Sequence, residues 1–331
     1  MRTPIIVLAS LLAFVPSASA QLTQGLGDLF GPRREEPLVD VSGSAWLYET
    51  VDVRNRSARF SERHYDLDVS LPLFSDERRT WSMGIDYSTI DVSTSARMPF
   101  EPLERFPSTF TDVGLSTSFT SRLDNDWTVG VSTRVGSASD KPFRTLDEYN
   151  VDVNAFVSIP HKKRNAWVVM ANYANRRNNG GLNHVPLIGG GYRMALEGEN
   201  WLLLGAPFMA AHYKPADWLT LDLQYVLIRN VNARATWHVL DEVDLFAGFA
   251  WDSDAFWRSE RADRDEAFMF YRKKLSGGVD WRLADNVTFG VEAGYSFGRF
   301  VYEGHDYDDH DNNRLSLDPG AFGGVSVVVE F

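Results

Sequence analysis

The chain contains no cysteine in 331 residues. That absence excludes a disulfide scaffold, a thiol nucleophile, thiolate metal sites and a lipid anchor on an N-terminal cysteine. Basic residues are also scarce, 33 Lys and Arg against 45 Asp and Glu, for a net charge of −12. So acidic a balance argues against nucleic acid as a partner. Long apolar runs are missing except one near the start. "IIVLASLLAFV" (5–15), behind Arg2 and ahead of Ala18, Ser19 and Ala20, has the charged, apolar and small-residue layout of an export signal. A membrane anchor needs about 18 to 20 apolar residues, and this run is too short. We expect residues 1–20 to be removed. Beyond Val15 no stretch is long and apolar enough for a membrane helix, so a membrane crossing has to be made with strands.

What the sequence has in abundance is alternation. In "WSMGIDYST" the apolar phase is Trp81, Met83, Ile85 and Tyr87; in "WTVGVSTRV" it is Trp127, Val129 and Val131, with Ser132 and Arg134 opposed. "YNVDVNAFVSI" sets Tyr149, Val151, Val153, Ala155 and Val157 against Asp152, Asn154 and Ser158, and "VTFGVEAGYSF" opposes Glu292 to Val291, Ala293 and Tyr295. About fifteen such segments recur, one per roughly twenty residues, the repeat of ten-residue strands plus connections. The connections alternate between short polar turns such as "FSDERR", "RLDND", "PHKKRN", "LDEVD" and "RLADN" and longer stretches at 92–108, 137–147, 175–184, 253–267 and 299–317. Short on one side and long on the other is how a membrane barrel joins its strands. Gly189 to Gly191, Pro207 and Pro215 blur the strand ends between Val185 and Val231.

The aromatic residues decide which face looks outward. Trp81, Trp127, Trp167 and Trp281 fall at the short-turn ends of strands, and Tyr87, Tyr149, Tyr173, Trp251 and Tyr295 at the long-loop ends, all in phase with the apolar face. Two aromatic girdles around a band of small and aliphatic residues suit lipid contact, whereas a soluble sandwich places its large aromatics mid-strand. The opposite face carries Asp66, Asp68, Asp86, Asp112, Asp152, Asp222, Asp280 and Glu292 with Arg134, Arg234, Arg272, Lys274 and Arg282. A polar lumen tolerates such charges and hydrocarbon does not. The fold class is therefore all-β: a closed antiparallel transmembrane β-barrel of about fourteen strands, within a range of about twelve to sixteen, over residues 41–331. Residues 21–40 form a periplasmic tail or a small lumen plug. "VSVVVEF" alternates up to Phe331, so the chain end is expected to close the barrel against the first strand, near "SAWLYETVDV".

That ending resembles the last strand of bacterial outer-membrane β-barrels. The resemblance implies outer-membrane localisation, contact with membrane lipid and lipopolysaccharide, and Phe331 as the signal read by the barrel-assembly machinery. "RNVNARATWHV" (229–239), "LFAGFAWDSDAF" (245–256), "GGVDWRL" (277–283) and "GYSFGR" (294–299) resemble an uncharacterised family of predicted outer-membrane barrels, which implies fold and place only. The lumen face mixes acids, bases and amides with acids in excess, and points to a porin-like passive channel for small solutes with weak cation preference. Alternatives are a loop-mediated binding or structural barrel, a channel for hydrophobic compounds, and a lipid-modifying enzyme with His64 or His238 as base. No GxSxG motif accompanies either histidine, and the non-enzyme reading is preferred. "HDYDDHDNN" (305–313) lacks the glycine and distal glutamate of an EF-hand loop and reads as an acidic surface loop. No metal and no cofactor is expected.

Overall fold

A computed structural model of the protein describes residues 39–98, 105–162, 164–177, 182–226, 230–261 and 263–331. The expected export signal and all but the last two residues of the expected tail lie outside the described residues. The strands begin with β1 (Asp40–Tyr48), β2 (Val51–Asp52), β3 (Arg59–Ser75), β4 (Arg79–Thr94), β5 (Thr109–Arg122) and β6 (Thr128–Ser139). They continue with β7 (Tyr149–Pro160), β8 (Ala166–Ala174), β9 (Leu187–Ala195), β10 (Trp201–Ala206), β11 (Phe208–Ala216) and β12 (Leu219–Val226). The last are β13 (Asn230–Leu240), β14 (Val243–Phe256), β15 (Ala267–Ala284), β16 (Val287–Gly304), β17 (Arg314–Ser316) and β18 (Gly320–Glu330). A 3-10 turn at Leu146–Glu148 precedes β7, and a short α-helix, α1 (His310–Asn313), precedes β17.

Among the described residues these eighteen strands form one sheet, and without the short β2 and β17 the remaining sixteen close a single antiparallel ring. β18 returns to β1 with Asp40 opposite Glu330 and Tyr48 opposite Phe322, and Phe331 exchanges backbone hydrogen bonds with Val39 at 2.8 and 3.1 Å. Closure leaves no sheet edge, which is what a wall in lipid requires. The count exceeds the fourteen expected by one hairpin, and the region responsible is β9 to β12. There β10 is only six residues long and turns into β11 at the single residue Pro207. Two short strands joined at a proline carry too little alternation to be told apart.

The ring is sheared. One lumen-facing row runs His238, Asp244, Asp280, Gly290, Ser326, Ser44, Asp66, Ser88, Asp112 and Ala138, climbing from the short-turn end at β13 to the long-loop end at β6. A tilted, staggered ladder is the geometry that lets a twisted sheet close. Outward, Val279, Val291 and Val325 stand abreast on β15, β16 and β18. Trp81, Tyr87, Trp127, Trp167, Trp281 and Tyr295 are exposed on the same face, as the girdle pattern requires. Tyr149, Tyr173 and Trp251 sit in the outward phase but half-buried: Tyr149 packs on Phe143, the Tyr173 hydroxyl lies 3.2 Å from His184, and Lys273 covers Trp251. Tyr213 and Trp237 join the outer face on the short strands, and Trp218 is exposed in the turn between β11 and β12.

The wall is uneven in height, because β15 and β16 run eighteen residues each and rise beyond the others. On the tall side the stretches expected as loops at 253–267 and 299–317 begin as strand, and the inward face changes character two residues further along. Glu62 gives way to Phe60, Asp112 to Phe110, Asp254 to Phe256 and Arg272 to Phe270. Toward the long-loop end the inward face no longer lines the polar lumen but packs against a second layer of the protein. Phe110 stacks on Phe268 at 4.9 Å and meets Phe256 and Phe270 at 5.2 and 5.1 Å, although β5 and β14–β15 stand on opposite sides of the ring. Phe106 bridges Phe60 and Phe268. These rings, with Ile90, Met98, Leu315 and Leu317, form a dry core that caps the barrel at its long-loop end. The 305–313 segment is part of that construction rather than a free acidic loop. Tyr307 and His310 pack at 4.1 Å and lie against Phe300, while the Asp309 carboxylate accepts the backbone N–H of His305.

Two predictions follow from this architecture. Val291→Arg places a charge in hydrocarbon and should cost about 2 to 4 kcal/mol in denaturant titrations of the lipid-inserted barrel, whereas Glu292→Lys, one residue on and facing inward, should cost far less. Phe110→Ala should remove about 3 to 5 kcal/mol from the cap. Hydrogen exchange in β2 and in the β14–β15 connection should accelerate while the ladder around Val291 stays protected.

Candidate functional site: the lumen beneath the cap

The interior below the aromatic layer is built from the polar phase of each strand. Arg134 on β6 is its central cation. Its Nε donates to Asp86 at 2.9 Å and one terminal nitrogen donates to Asp112 at 2.8 Å. The guanidinium lies flat on the wall because Gly114 leaves the space: a Cβ there would sit 2.4 Å from the Arg134 Nε. Gly278 accepts the Phe246 ring in the same way, and Arg234 then stacks on that ring at 3.6 Å and pairs with Asp280. Large inward side chains are thus laid along the wall instead of across the bore.

The other expected lumen residues fall into three groups. Asp66 accepts from Ser44 at 2.9 Å, Asp68 lies opposite Asp86, Asp152 accepts from Asn154 and Asn172, Asp222 meets His212 at 2.8 Å, and Lys274 meets Asp252 at 2.8 Å. These stand on the inner wall, as does Glu292. Arg272 and Asp112 instead belong to a sealed ionic layer just under the cap, where Arg272 pairs with Asp254 at 3% exposure on both sides and Arg299 donates to Glu62 at 2.9 Å. Arg282 is tied to the turn at the other end through the Asp241 carbonyl at 2.9 Å. Of the paired partners, Glu62, Asp252, Asp254, His212 and Arg299 were missed in the sequence. Asp252 and Asp254 keep the inward phase of "WDSDAF", and reading 253–267 as a loop masked Asp254 and cut the phase short after Asp252.

Both histidines considered as bases stand beside a carboxylate. His64 lies 3.5 Å from Glu62 and packs on Tyr48. His238 stands between Asp244 at 2.7 Å and the Thr220 hydroxyl at 2.8 Å, an acid, imidazole and hydroxyl in line. Thr220 is buried, whereas His238 and Asp244 keep about a fifth of their side-chain surface exposed.

At the long-loop end the ring is drawn together along a seam between β6 and β14. Trp257 N–H donates to the Ala138 carbonyl at 2.8 Å, and Ser259 N–H donates to the Asp140 carboxylate at 2.7 Å. Glu260 accepts from Lys141 and Arg144, each at 3.0 Å. Those hydrogen bonds, Lys141's first, hold the Glu260 carboxyl below its ordinary pKa, so this exposed bridge is intact at neutral pH and weakens as acid protonates it. Arg176 and Arg261 extend the seam, both donating to the Asp147 carbonyl. Directly below lies a cavity of about 50 Å³ lined by Asp112, Arg134, Asn150, Asp152, Arg176 and Trp257 among others.

No protein-family model matches the chain, and no curated protein matches it. Among solved structures it is similar to an outer membrane channel from Pseudomonas putida F1, at 9% identity over 91% of this chain and 98% of that one, with a TM-score of 0.42. It is also similar to the beta domain of the Bordetella autotransporter BrkA, at 10% identity over 89% of this chain and 100% of that one, with a TM-score of 0.36. The translocator domain of the autotransporter NalP from Neisseria meningitidis matches at 10% identity over 95% of this chain and 96% of that one, with a TM-score of 0.33. Likenesses this distant carry no argument about what passes through or binds to this barrel.

Proposed function

We propose that the protein is a passive, porin-like channel of the bacterial outer membrane for small hydrophilic solutes, with a weak preference for cations, and not an enzyme. The observation that carries this reading is the inner wall between the ionic layer and the short turns. There Asp86 and Asp280 keep 25% and 30% of their side-chain surface exposed, and Lys274 and His212 remain partly accessible. Charges of both signs with acids in excess favour a hydrated path over a packed core and favour cations over anions. The apolar side chains of Val168, Met170, Leu203 and Phe208 pack on one another in the corner made by β8 to β11 instead of forming an exposed greasy track, which weighs against a hydrophobic-compound channel. The loop-mediated alternative fits less well because the long connections are built into the cap. On this reading the outer face meets lipid and lipopolysaccharide, and Phe331, with its exposed side chain, is presented to the assembly machinery.

The test is single-channel recording in planar bilayers. Small discrete steps are expected, with a reversal potential in a KCl gradient on the cation side, and Asp280→Asn should move it toward zero. Opening the cap with Phe110→Ala should enlarge the steps. A wild type and a Phe110→Ala variant that are both silent would remove the channel reading.

A further inference from the structure

The β6–β7 ladder sets Arg134 directly opposite Asp152, both on the inner face. Opposite charges that face each other across an antiparallel pair attract, so the register by itself favours an ion pair between them. No such pair forms. The guanidinium turns away from β7, crosses β5 and spends its donors on Asp86 and Asp112, with Nε 2.9 Å from Asp86 and a terminal nitrogen 2.8 Å from Asp112. Asp152 is left with two amide donors, Asn154 at 2.6 Å and Asn172 at 3.1 Å, and among the described residues it has no ion-pair partner. The reason is Gly114. It faces Gly136 across the β5–β6 ladder, and the three atoms nearest to a Cβ built on it are the Nε, Cζ and Nη2 of Arg134, all within 2.6 Å. Any side chain at 114 would occupy the bed in which the guanidinium lies. What it meets is the end of a flexible side chain, so the guanidinium would yield before the backbone. A Cβ at Gly136 instead meets the Val113 carbonyl oxygen at 2.5 Å, so Gly114 is the position that addresses Arg134 directly.

We propose that Gly114 sets the charge preference of the lumen by holding Arg134 away from Asp152, and that Asp152 is thereby a carboxylate that small cations meet on the inner wall. An acid paired with a guanidinium presents little net charge to a passing ion, whereas one held by neutral amides keeps its field. Asp86 and Asp280 are each paired with an arginine, and Asp222 with His212. Asp66 and Glu292 also have no ion-pair partner among the described residues, but serines and glycines stand opposite them, so no cation is being kept from either. Asp152 differs because its natural partner is adjacent and turned aside. It is half-buried and lines the cavity below the seam, on the side where the polar wall continues under β7 and β8, whereas the aromatic cap fills the mouth above β4 and β5. With a methyl group at 114 the guanidinium swings back to Asp152, and Asp86 is uncovered in its place. For passage of ions the proposal rests on the channel reading above, but the choice of partner is testable without it.

Carboxylate footprinting of the full-length protein in detergent, with a carbodiimide and glycine ethyl ester read out by peptide mass spectrometry, reports which acids are uncovered. In Gly114→Ala the labelling of Asp152 should fall and that of Asp86 rise. Gly43→Ala, whose added carbon meets nothing closer than the Asp66 carbonyl oxygen at 3.7 Å, should change neither. In planar bilayers under a KCl gradient, Asp152→Asn and Gly114→Ala should each move the reversal potential from the cation side toward zero. In an Arg134→Gln background the change at Gly114 should move nothing, because there is no guanidinium left to displace. Heat-modifiable gel migration reports whether each barrel is folded. If Gly114→Ala does not fold, adding Arg134→Gln should restore it; a double variant that also fails shows that Gly114 serves the backbone and overturns the proposal. Unchanged labelling of Asp86 and Asp152 in Gly114→Ala, a reversal potential unmoved by Asp152→Asn, or an equal shift in the Arg134→Gln background overturns it as well. A footprint that exchanges Asp152 for Asp86 in a protein without conductance steps keeps the arrangement and removes the channel.

Discussion

In a hydrocarbon environment a strand's backbone N–H and C=O groups have no water to fall back on, so each strand must find a partner on both sides. The whole molecule is organised around that requirement. It is why the C-terminal strand returns to β1 over nine register pairs, why Phe331 is hydrogen-bonded to Val39 at the last residue, and why even the six-residue β10 is laddered on both flanks. Once the ring closes, its two faces meet different solvents, and side-chain chemistry follows from that. Valines abreast on β15, β16 and β18 cost nothing toward lipid, and Asp86 with Arg134 is supportable only because the inner face is polar and the pair is hydrogen-bonded.

The same logic explains the cap. Where β14, β15 and β16 rise past the membrane, lipid no longer demands an apolar exterior and the inner face no longer lines the polar lumen. The inward phase can then turn aromatic, and Phe60, Phe110, Phe256 and Phe270 do so, each two residues beyond a buried charge. The ionic layer between core and lumen, Glu62 with Arg299 and Asp254 with Arg272, is the price of the changeover. Buried pairs like these add little net stability, yet losing one partner strands a charge and costs about 3 to 5 kcal/mol. The layer therefore fixes the level at which wet lumen becomes dry core, and it also fixes which strands are adjacent across the top.

Much of this was legible in the sequence, for a physical reason. Lipid contact imposes a strict two-residue period, so Trp81 to Tyr87, Tyr149 to Val157 and Val287 to Phe297 reveal strand, face and girdle together. The lumen residues Asp86, Arg134, Asp152 and Asp280 follow as the opposite phase. What could not be read is whatever depends on strands far apart in the chain. That Phe110 would stack on Phe268, or that Ala138 would accept from Trp257, is settled by shear and by the unequal heights of the wall. No local pattern encodes either. Residues 253–256 and 299–304 were misread because charge and glycine look like loop when the lipid-facing rule has lapsed. The hairpin at Pro207 was lost because its strands are shorter than the period needs to declare itself.

The seam decides how such a barrel relates to its surroundings. Sixteen strands enclose more width than side chains fill, and an open ring of that size passes solutes with little discrimination. By zipping β6 to β14 through backbone and carboxylate contacts, the chain divides its mouth. One lobe, from β14 round through β1 to β6, is filled with aromatic core; the other, under β7 and β8, keeps the polar wall and the cavity with Asn150, Arg176 and Trp257 on its lining. At its outer edge the seam is held by exposed ion pairs that salt screens, as at Glu260, whereas the Trp257 to Ala138 backbone bond beneath them is buried. The closure of the ring does not depend on those exposed contacts, because the hydrogen bonds that lipid makes obligatory lie in the strand ladder.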